Sequence, residues 1–301
     1  MEIGIIGSGF GLYGYLPAVI LGGHTPVTLE RYRTTIRHRS DIRQFDDQIK
    51  YVSDLDKLIE GSPGASVLAV PFQSRGIILE SFGSQYHGHL FLEKPIASTR
   101  KGYSDLMGQL GLVASTWSVA YLFPYTQWYR AMQSWVSESN GAPVVTIQWT
   151  LPKPKSQNNW KVDQHLGGGI VNFYLSHFIP FLRKNNFDTS NFSLGANGDV
   201  IWKIHKDGPK GYQLDIHCGY GDRHFSISVS DGESGLPPTR IYRMDTPFGP
   251  APQPESIDPR SALLLEYMNE VFDDPRLATR NQVEDVQGIE TLLEGSGIQD
   301  K

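Results

Sequence analysis

Glu2-Ile3-Gly4-Ile5-Ile6-Gly7-Ser8-Gly9-Phe10-Gly11 is a short apolar run that ends in a glycine-rich turn, and a second apolar stretch follows from Gly11 to about Leu21. An apolar run closed by glycine suits a strand buried on both faces, and the stretch after it suits a helix. In that order the glycines have a use. Gly7 permits a tight turn, and Gly9 lets the backbone approach a pyrophosphate. The N-terminus of the following helix then offers N–H groups and positive dipole potential to the anion. Gly7, Ser8, Gly9, Phe10 and Gly11 are therefore candidate dinucleotide-binding residues. The third glycine of the usual G-x-G-x-x-G spacing would fall at position 12, which is Leu12, so the motif departs from the pattern there.

Reading outward, Val27 to Glu30 is a second short strand, and Glu30 lies 23 positions after Gly7. An acidic group there accepts hydrogen bonds from a ribose diol, whereas Arg31 and Arg33 beside it suit a 2′-phosphate. NAD and NADP both remain open, with a lean to NAD because Glu30 would repel a phosphate. Tyr51 to Ser53 is a third strand, followed by the helical DLDKLIEG, and Ala65 to Pro71 is a strongly buried strand. Gln73 to Tyr86 reads as a helix with Ile77, Ile78 and Phe82 on one side. His89 to Glu93 is another strand and Thr99 to Leu110 another helix. Strands separated by helices in this rhythm imply parallel βαβ units with right-handed crossovers.

From Leu112 the character changes. LVASTWSVAY is strand-like and Thr126 to Ser139 helical. VVTIQWTL, DVIWKIHK, YQLDIHCGY, HFSISVSDG and TRIYRMD then alternate as an antiparallel sheet does. TPFGPAPQPESIDP is a proline-rich loop, and two helices close the chain, Arg260 to Phe272 and Gln282 to Leu293. The expected fold is α/β: an N-terminal Rossmann domain with a parallel sheet, residues 1–118, and a C-terminal α+β domain with a mainly antiparallel sheet, residues 119–301. Apolar residues on both parities of VVTIQWTL and DVIWKIHK suggest that the second sheet also pairs copies of the chain, as a homodimer or homotetramer.

The bulk numbers exclude several classes. In 301 residues, 39% are hydrophobic and 20% charged, as in ordinary globular proteins. The net charge of -5, with no basic stripe beyond Arg31, Arg33, Arg37 and Arg39, argues against nucleic acid. The N-terminal stretch lacks a basic region and is broken by glycines, so it reads as strand and turn and not as a signal peptide. No apolar run reaches membrane-spanning length. The lone Cys218 forms no internal disulfide, and a cytoplasmic, reducing location is expected. The histidines show no metal spacing, so no metal site is expected. Neither a G-x-S-x-G elbow nor the G-K-S/T tail of a phosphate-binding loop occurs.

Glu93-Lys94-Pro95 directly after the strand HLFLE, in a chain with this beginning, resembles the Gfo/Idh/MocA oxidoreductase family. Pro71 in LAVP, Trp160-Lys161 before Gly167-Gly168-Gly169, and His177 eight residues beyond that triplet follow in the family's order. QVEDVQGIETLLEGS resembles the family's closing helix. The resemblance implies hydride transfer between a nicotinamide cofactor and a small oxo or hydroxy compound, such as a sugar or nucleotide-linked sugar. It implies that Lys94 hydrogen-bonds the reacting oxygen, that a cis peptide bond precedes Pro95, and that His177 lies near the reacting carbon. It adds Pro71, Glu93 and Lys94 to the cofactor site and Asn172 and Phe173 to the substrate site. The chain departs from the family at Phe173, where an aspartate is usual, at Leu175, usually glycine, and at Arg75, often histidine.

The chemistry also stands on the residues. Hydride transfer to a carbonyl builds negative charge on its oxygen, and a lysine placed there stabilises the transition state more than the ground state. A histidine titrating near neutrality is the commonest group to move the accompanying proton, which makes His177 the candidate. Tyr174, three residues back on the same helix face, can share the cleft. Tyr121 and Trp160 are candidate lining aromatics, although such residues and His177 itself also suit a core. The aromatic Phe173 keeps a flatter substrate, a bilin or an imine, as an alternative. Loss of the aspartate keeps a non-catalytic dinucleotide-binding sensor or assembly protein as another.

Overall fold

The computed structural model describes residues 1–61, 64–83, 86–139, 143–152, 174–184, 192–194, 200–206, 212–230, 238, 240–249, 253 and 255–295. Its strands are β1 (Glu2–Ile6), β2 (Thr25–Leu29), β3 (Lys50–Val52), β4 (Ala65–Leu68), β5 (His89–Leu92), β6 (Thr116–Val119), β7 (Val144–Pro152), β8 (Phe192–Leu194), β9 (Val200–Lys206), β10 (Tyr212–Gly221), β11 (His224–Ser230) and β12 (Arg240–Met244). Its α-helices are α1 (Leu16–Leu21), α2 (Arg33–His38), α3 (Leu55–Glu60), α4 (Phe72–Phe82), α5 (Arg100–Val113), α6 (Gln127–Glu138), α7 (Phe178–Lys184), α8 (Arg260–Asp273) and α9 (Pro275–Gly295). The chain divides into two compact units. One holds residues 1–97, 101–120 and 252–284, and the other holds 98–100, 121–251 and 285–301.

In the first unit six strands form a parallel sheet in the order β3-β2-β1-β4-β5-β6. The central strands are buried along their length. Ile3, Ile5, Ile6, Val67, Leu68, Leu90, Phe91 and Leu92 are all 0–1% exposed, which is why these segments read as continuous apolar runs without alternation. The strand order reverses between β1 and β4, and open α/β sheets bind ligands in the crevice at that point, off the carboxyl ends of the strands. This is a Rossmann-type doubly wound sheet.

α8 returns to this unit. Its buried residues Leu264, Tyr267, Met268 and Val271 fall at i, i+3, i+4 and i+7, one apolar stripe, and the helix packs on α1. Tyr267 donates a hydrogen bond to the Ser118 hydroxyl. The Thr279 hydroxyl accepts from the Trp117 N–H at 2.9 Å and donates to the Trp117 carbonyl at the same distance. Residues 252–284 therefore belong with the first unit, which corrects a simple partition at 118. The helical stripe was legible, but a stripe does not name its partner surface.

The second unit carries a sheet in the order β12-β11-β7-β10-β9-β8, antiparallel except where β7 and β10 run parallel. Val145, Ile147, Trp149 and Leu151 of β7 face its core with Leu214, Ile216, Phe225 and Ile227. The other parity of β7 reads Val144, Thr146, Gln148 and Thr150, and that of β11 reads Ser226 and Ser228. The expectation that both parities of β7 are apolar is thus corrected: its second face is mainly polar. α6 is capped by Thr126, whose hydroxyl accepts the Tyr129 N–H at 3.4 Å. Trp128 on α6 is fully buried and donates to the Pro247 carbonyl at 2.8 Å.

Other differences have local causes. The first helix opens with a π-turn over Gly11–Tyr15 before α1. α4 turns Arg75, Leu79 and Phe82 inward, whereas Ile77 is 70% exposed, so the inner face is one residue out of phase with the expected one. α9 starts at Pro275, earlier than Gln282. Asp274 caps it by accepting the Leu277 N–H at 2.9 Å, and proline suits the first helical position. No described helix is long and apolar enough to cross a membrane.

His89 on β5 gives the first unit a pH dependence. Its ring is 4% exposed and lies 3.1 Å from the Thr116 hydroxyl and 2.8 Å from that of Ser118. Burial pulls its pKa down to about 4. The unfolded chain therefore takes up a proton at higher pH than the folded one. Stability is full above the ordinary histidine value near 6.5 and is lost as pH falls towards 4. The loss is expected to reach about 3 kcal/mol. Urea unfolding of the protein and of His89→Gln across this range checks it; a slope that survives the substitution would count against the assignment.

Candidate functional site

The glycine loop leaves β1 at the switch point. Gly7 has φ +134°, a conformation that L side chains rarely adopt, and a Cβ there would fall inside the Ala69 carbonyl beyond β4. Gly9 differs: it is exposed, and a Cβ there would meet nothing within 4 Å. Ser8 is exposed as well, and the Gly9 carbonyl accepts the Leu12 N–H at 2.9 Å as the helix begins. The loop thus presents open backbone at a helix start, where the first N–H groups have no partner within the helix.

The third glycine of the pattern is replaced in an unexpected way. A Cβ on Gly11 would lie 3.2 Å from the Ala69 Cβ and 3.3 Å from Ile5 Cγ2. Gly11, not residue 12, therefore makes the close approach of helix to sheet. The π-turn, wider than an α-turn, shifts the phase by that residue. Gly9-Phe10-Gly11-Leu12-Tyr13-Gly14 also spells G-x-G-x-x-G, but the strand end and the positive φ make Gly7 the first glycine. Gly14 has another role, since the Phe10 ring lies over it and leaves no room for a Cβ. Arg260, the first residue of α8, covers that ring at 4.4 Å and is held by Asp258 at 2.7 and 2.9 Å.

Glu30 stands just beyond β2, exposed, with Arg33 donating to its carboxylate at 2.9 Å. Arg31 is exposed and lies 5.2 Å from the centre of the Tyr32 ring. Pro71 caps α4 beyond β4 and is exposed. Glu93, Lys94 and Pro95 follow β5, with the Glu93 N–H donating to the Leu68 carbonyl at 3.1 Å and a cis bond between Lys94 and Pro95. The expected cis bond is present. One edge of one sheet therefore gathers Gly7 to Gly11, Glu30, Arg31, Pro71, Glu93 and Lys94.

The carboxylate of Glu93 accepts a hydrogen bond from the Tyr15 hydroxyl at 3.4 Å. Burial pushes its pKa up to about 7, against the downward pull of Lys94, Arg260 and Arg75. Burial and the adjacent Glu93 in turn hold the Tyr15 hydroxyl well above its ordinary value. Arg75 is 1% exposed and donates to the carbonyls of Val70, Glu93 and Pro95. Sequence reasoning marked Arg75 only as a substitution and missed Tyr15 and Arg260. The signal for Arg75 was a cation in the inward phase of an otherwise apolar helix face.

The remaining candidates with described positions lie in the second unit. His177 ends a single 3-10 turn, Leu175–His177, before α7 and is 3% exposed. Its ring stacks on Phe123 at 4.9 Å and meets Phe248 at 5.2 Å and Tyr121 at 6.1 Å, both edge-on. Tyr174 packs edge-on against Trp149 at 5.3 Å, and burial pushes its hydroxyl up to about 12. Tyr121, His177 and Tyr174 thus belong to one aromatic cluster. Trp160, Asn172 and Phe173 lie outside the described residues.

No family model matches the sequence, and no curated protein matches it. Solved structures do. A myo-inositol dehydrogenase from Corynebacterium glutamicum is 13% identical, with 99% of this chain and 96% of that one covered and a TM-score of 0.64. The WlbA dehydrogenase from Thermus thermophilus, in complex with NAD and UDP-GlcNAcA, is 12% identical over 98% of this chain and 94% of that one, with a TM-score of 0.63. KijD10, a 3-ketoreductase from Actinomadura kijaniata in complex with NADP and TDP-benzene, is 14% identical over 98% and 97%, with a TM-score of 0.60. At these identities the likeness is one of fold, and over nearly its whole length this chain folds as these dehydrogenases do.

Proposed function

We propose that this chain is an NAD(P)-dependent oxidoreductase that transfers a hydride to or from a small oxo or hydroxy substrate of the sugar or nucleotide-linked sugar class. The observation that carries the reading is the convergence of an open glycine loop, Glu30 and Glu93-Lys94 on one sheet edge at the switch point. The UDP-GlcNAcA bound in the WlbA structure supports the nucleotide-linked sugar class, and the TDP-benzene bound in KijD10 is likewise a nucleotide conjugate.

Backbone N–H groups of Gly9 to Gly11 would hold the pyrophosphate, and Glu30 the adenosine ribose diol. A nicotinamide bound there supplies the redox chemistry. Lys94 stabilises the charge on the reacting oxygen as a point cation with three donors. His177 moves the proton, with Tyr174 and Tyr121 beside it as lining groups. NADH and NADPH oxidation against a panel of oxo-sugars and nucleotide-linked oxo-sugars, with a bilin and a cyclic imine included, tests the reaction class. Tight NADH binding with no turnover on any carbonyl or imine would leave only the binding function. The stacking of His177 on Phe123 favours that second reading, a dinucleotide-binding sensor or assembly protein, because such a ring suits a core. A homodimer or homotetramer remains part of the proposal. Sedimentation at micromolar concentration checks it, and a monomer rejects it.

Cofactor choice is expected to favour NADH over NADPH. A carboxylate and a phosphate about 4 Å apart in water repel by about 1 kcal/mol, roughly fivefold in affinity. Glu30→Gln is therefore expected to raise the ratio of NADPH to NADH affinity about fivefold, measured by NAD(P)H fluorescence titration. An unchanged ratio would remove Glu30 from the ribose end.

A further inference from the structure

A buried cation that the proposed chemistry does not use lies beneath the catalytic lysine's own turn. Among the described residues, Arg75 is the only arginine or lysine that is buried. Burying a cation is expensive unless its donors are met. Here one Nη donates to the Pro95 carbonyl at 3.1 Å, and the other to the Glu93 carbonyl at 2.6 Å and the Val70 carbonyl at 3.1 Å. Two of these acceptors are the carbonyls of the residues before and after Lys94, and the third belongs to the segment that follows β4. A planar fork can bridge acceptors lying in different directions, whereas a lysine offers only a point charge.

We propose that Arg75 is the positioning residue for Lys94: its guanidinium ties the chain before and after Lys94 to the end of β4 and so sets where the ammonium is presented. The inference rests on the assignment of Lys94 to the reacting oxygen. The need for such a device is physical. Lys94 sits in a connection after a strand, where the backbone is less constrained than in the sheet. A displacement of about 1 Å at a reacting group costs roughly 100-fold in rate. The helix offers a fixed base, since Arg75 lies in the first turns of α4, directly after the Pro71 cap. Glu93 completes the electrostatics, its carboxylate drawn down by Lys94 and Arg75 against the effect of burial.

The test uses Arg75→Lys, which keeps the charge and loses the fork, and Arg75→Met, which keeps volume alone. Turnover is expected to fall about tenfold in the first and about 100-fold in the second, with NADH affinity within about twofold of the original protein. A second readout needs no substrate. Lysines are reductively methylated with 13C-formaldehyde, and the Lys94 signal is identified by its loss in Lys94→Arg. In both variants that signal is expected to shift and to broaden as the ammonium loses its fixed surroundings. A Lys94 signal that coincides with the original in both folded variants overturns the proposal. So does a fall in turnover that only tracks lost NADH binding and lost stability, which is a merely structural role. If the signal moves but the original protein reduces no carbonyl substrate, the positioning stands and the hydride-transfer reading fails.

Discussion

Replacing Lys94 with alanine is expected to lower turnover about 100- to 1000-fold while NADH binds with nearly its original affinity. The argument separates binding from chemistry. Lys94 follows β5 on the sheet edge that carries the glycine loop, so removing its side chain leaves the loop, Glu30 and Pro71 in place. The lost interaction is one made most strongly when charge has moved onto the substrate oxygen, and it therefore falls on kcat more than on KM. The carbonyls beside Lys94 stay tied to Arg75, because backbone and not side chain accepts those hydrogen bonds. Equal losses in NADH affinity and in turnover would make Lys94 a cofactor contact only. Unchanged turnover would remove it from the chemistry. His177→Ala is the companion measurement. If the histidine is core, loss of its stacked, buried ring shows mainly as lost stability, whereas a proton-transfer role lowers kcat and changes its pH profile.

What was legible in the residues follows from how parallel sheets bury their strands. EIGII, ASVL and HLFL have no solvent face and need no alternation, so their apolar runs stand out with the glycine turn and EKP at their ends. Three features were hidden for different reasons. The role of Gly11 depends on helix phase, and a π-turn alters phase without a residue signature. The return of α8 to the first unit depends on which of several apolar surfaces it covers, a long-range matter that a stripe does not encode. The role of Arg75 was hidden because its partners are backbone carbonyls, which no side-chain pattern reveals. By contrast, the start of α9 was written plainly as Asp274-Pro275, a cap followed by proline. The candidates in the second unit were placed by spacing from a glycine triplet. Spacing along a chain identifies a position and leaves the environment open, and for His177 that environment includes three aromatic rings among the described residues.

Gly9→Val is expected to weaken dinucleotide binding sharply in a protein that still folds. The two glycines of the loop make this a controlled comparison. At Gly7 the backbone has φ +134° and a Cβ would enter the Ala69 carbonyl, so Gly7→Ala strains the chain itself. Its expected result is a lower urea midpoint, with any loss of binding following from that. At Gly9 no heavy atom lies within 4 Å of the added Cβ and no positive φ opposes a side chain. The isopropyl group of valine therefore costs the empty protein little, and it occupies the space that a pyrophosphate needs to reach the N–H groups of the helix start. Forcing that overlap costs about 1–3 kcal/mol, roughly 5- to 150-fold in affinity. NADH fluorescence titration reads the affinity, and urea unfolding of the same sample reads the fold. A Gly9→Val protein that keeps its unfolding midpoint and also keeps its NADH affinity would place the cofactor elsewhere, and the roles of Glu30 and Lys94 would fall with it.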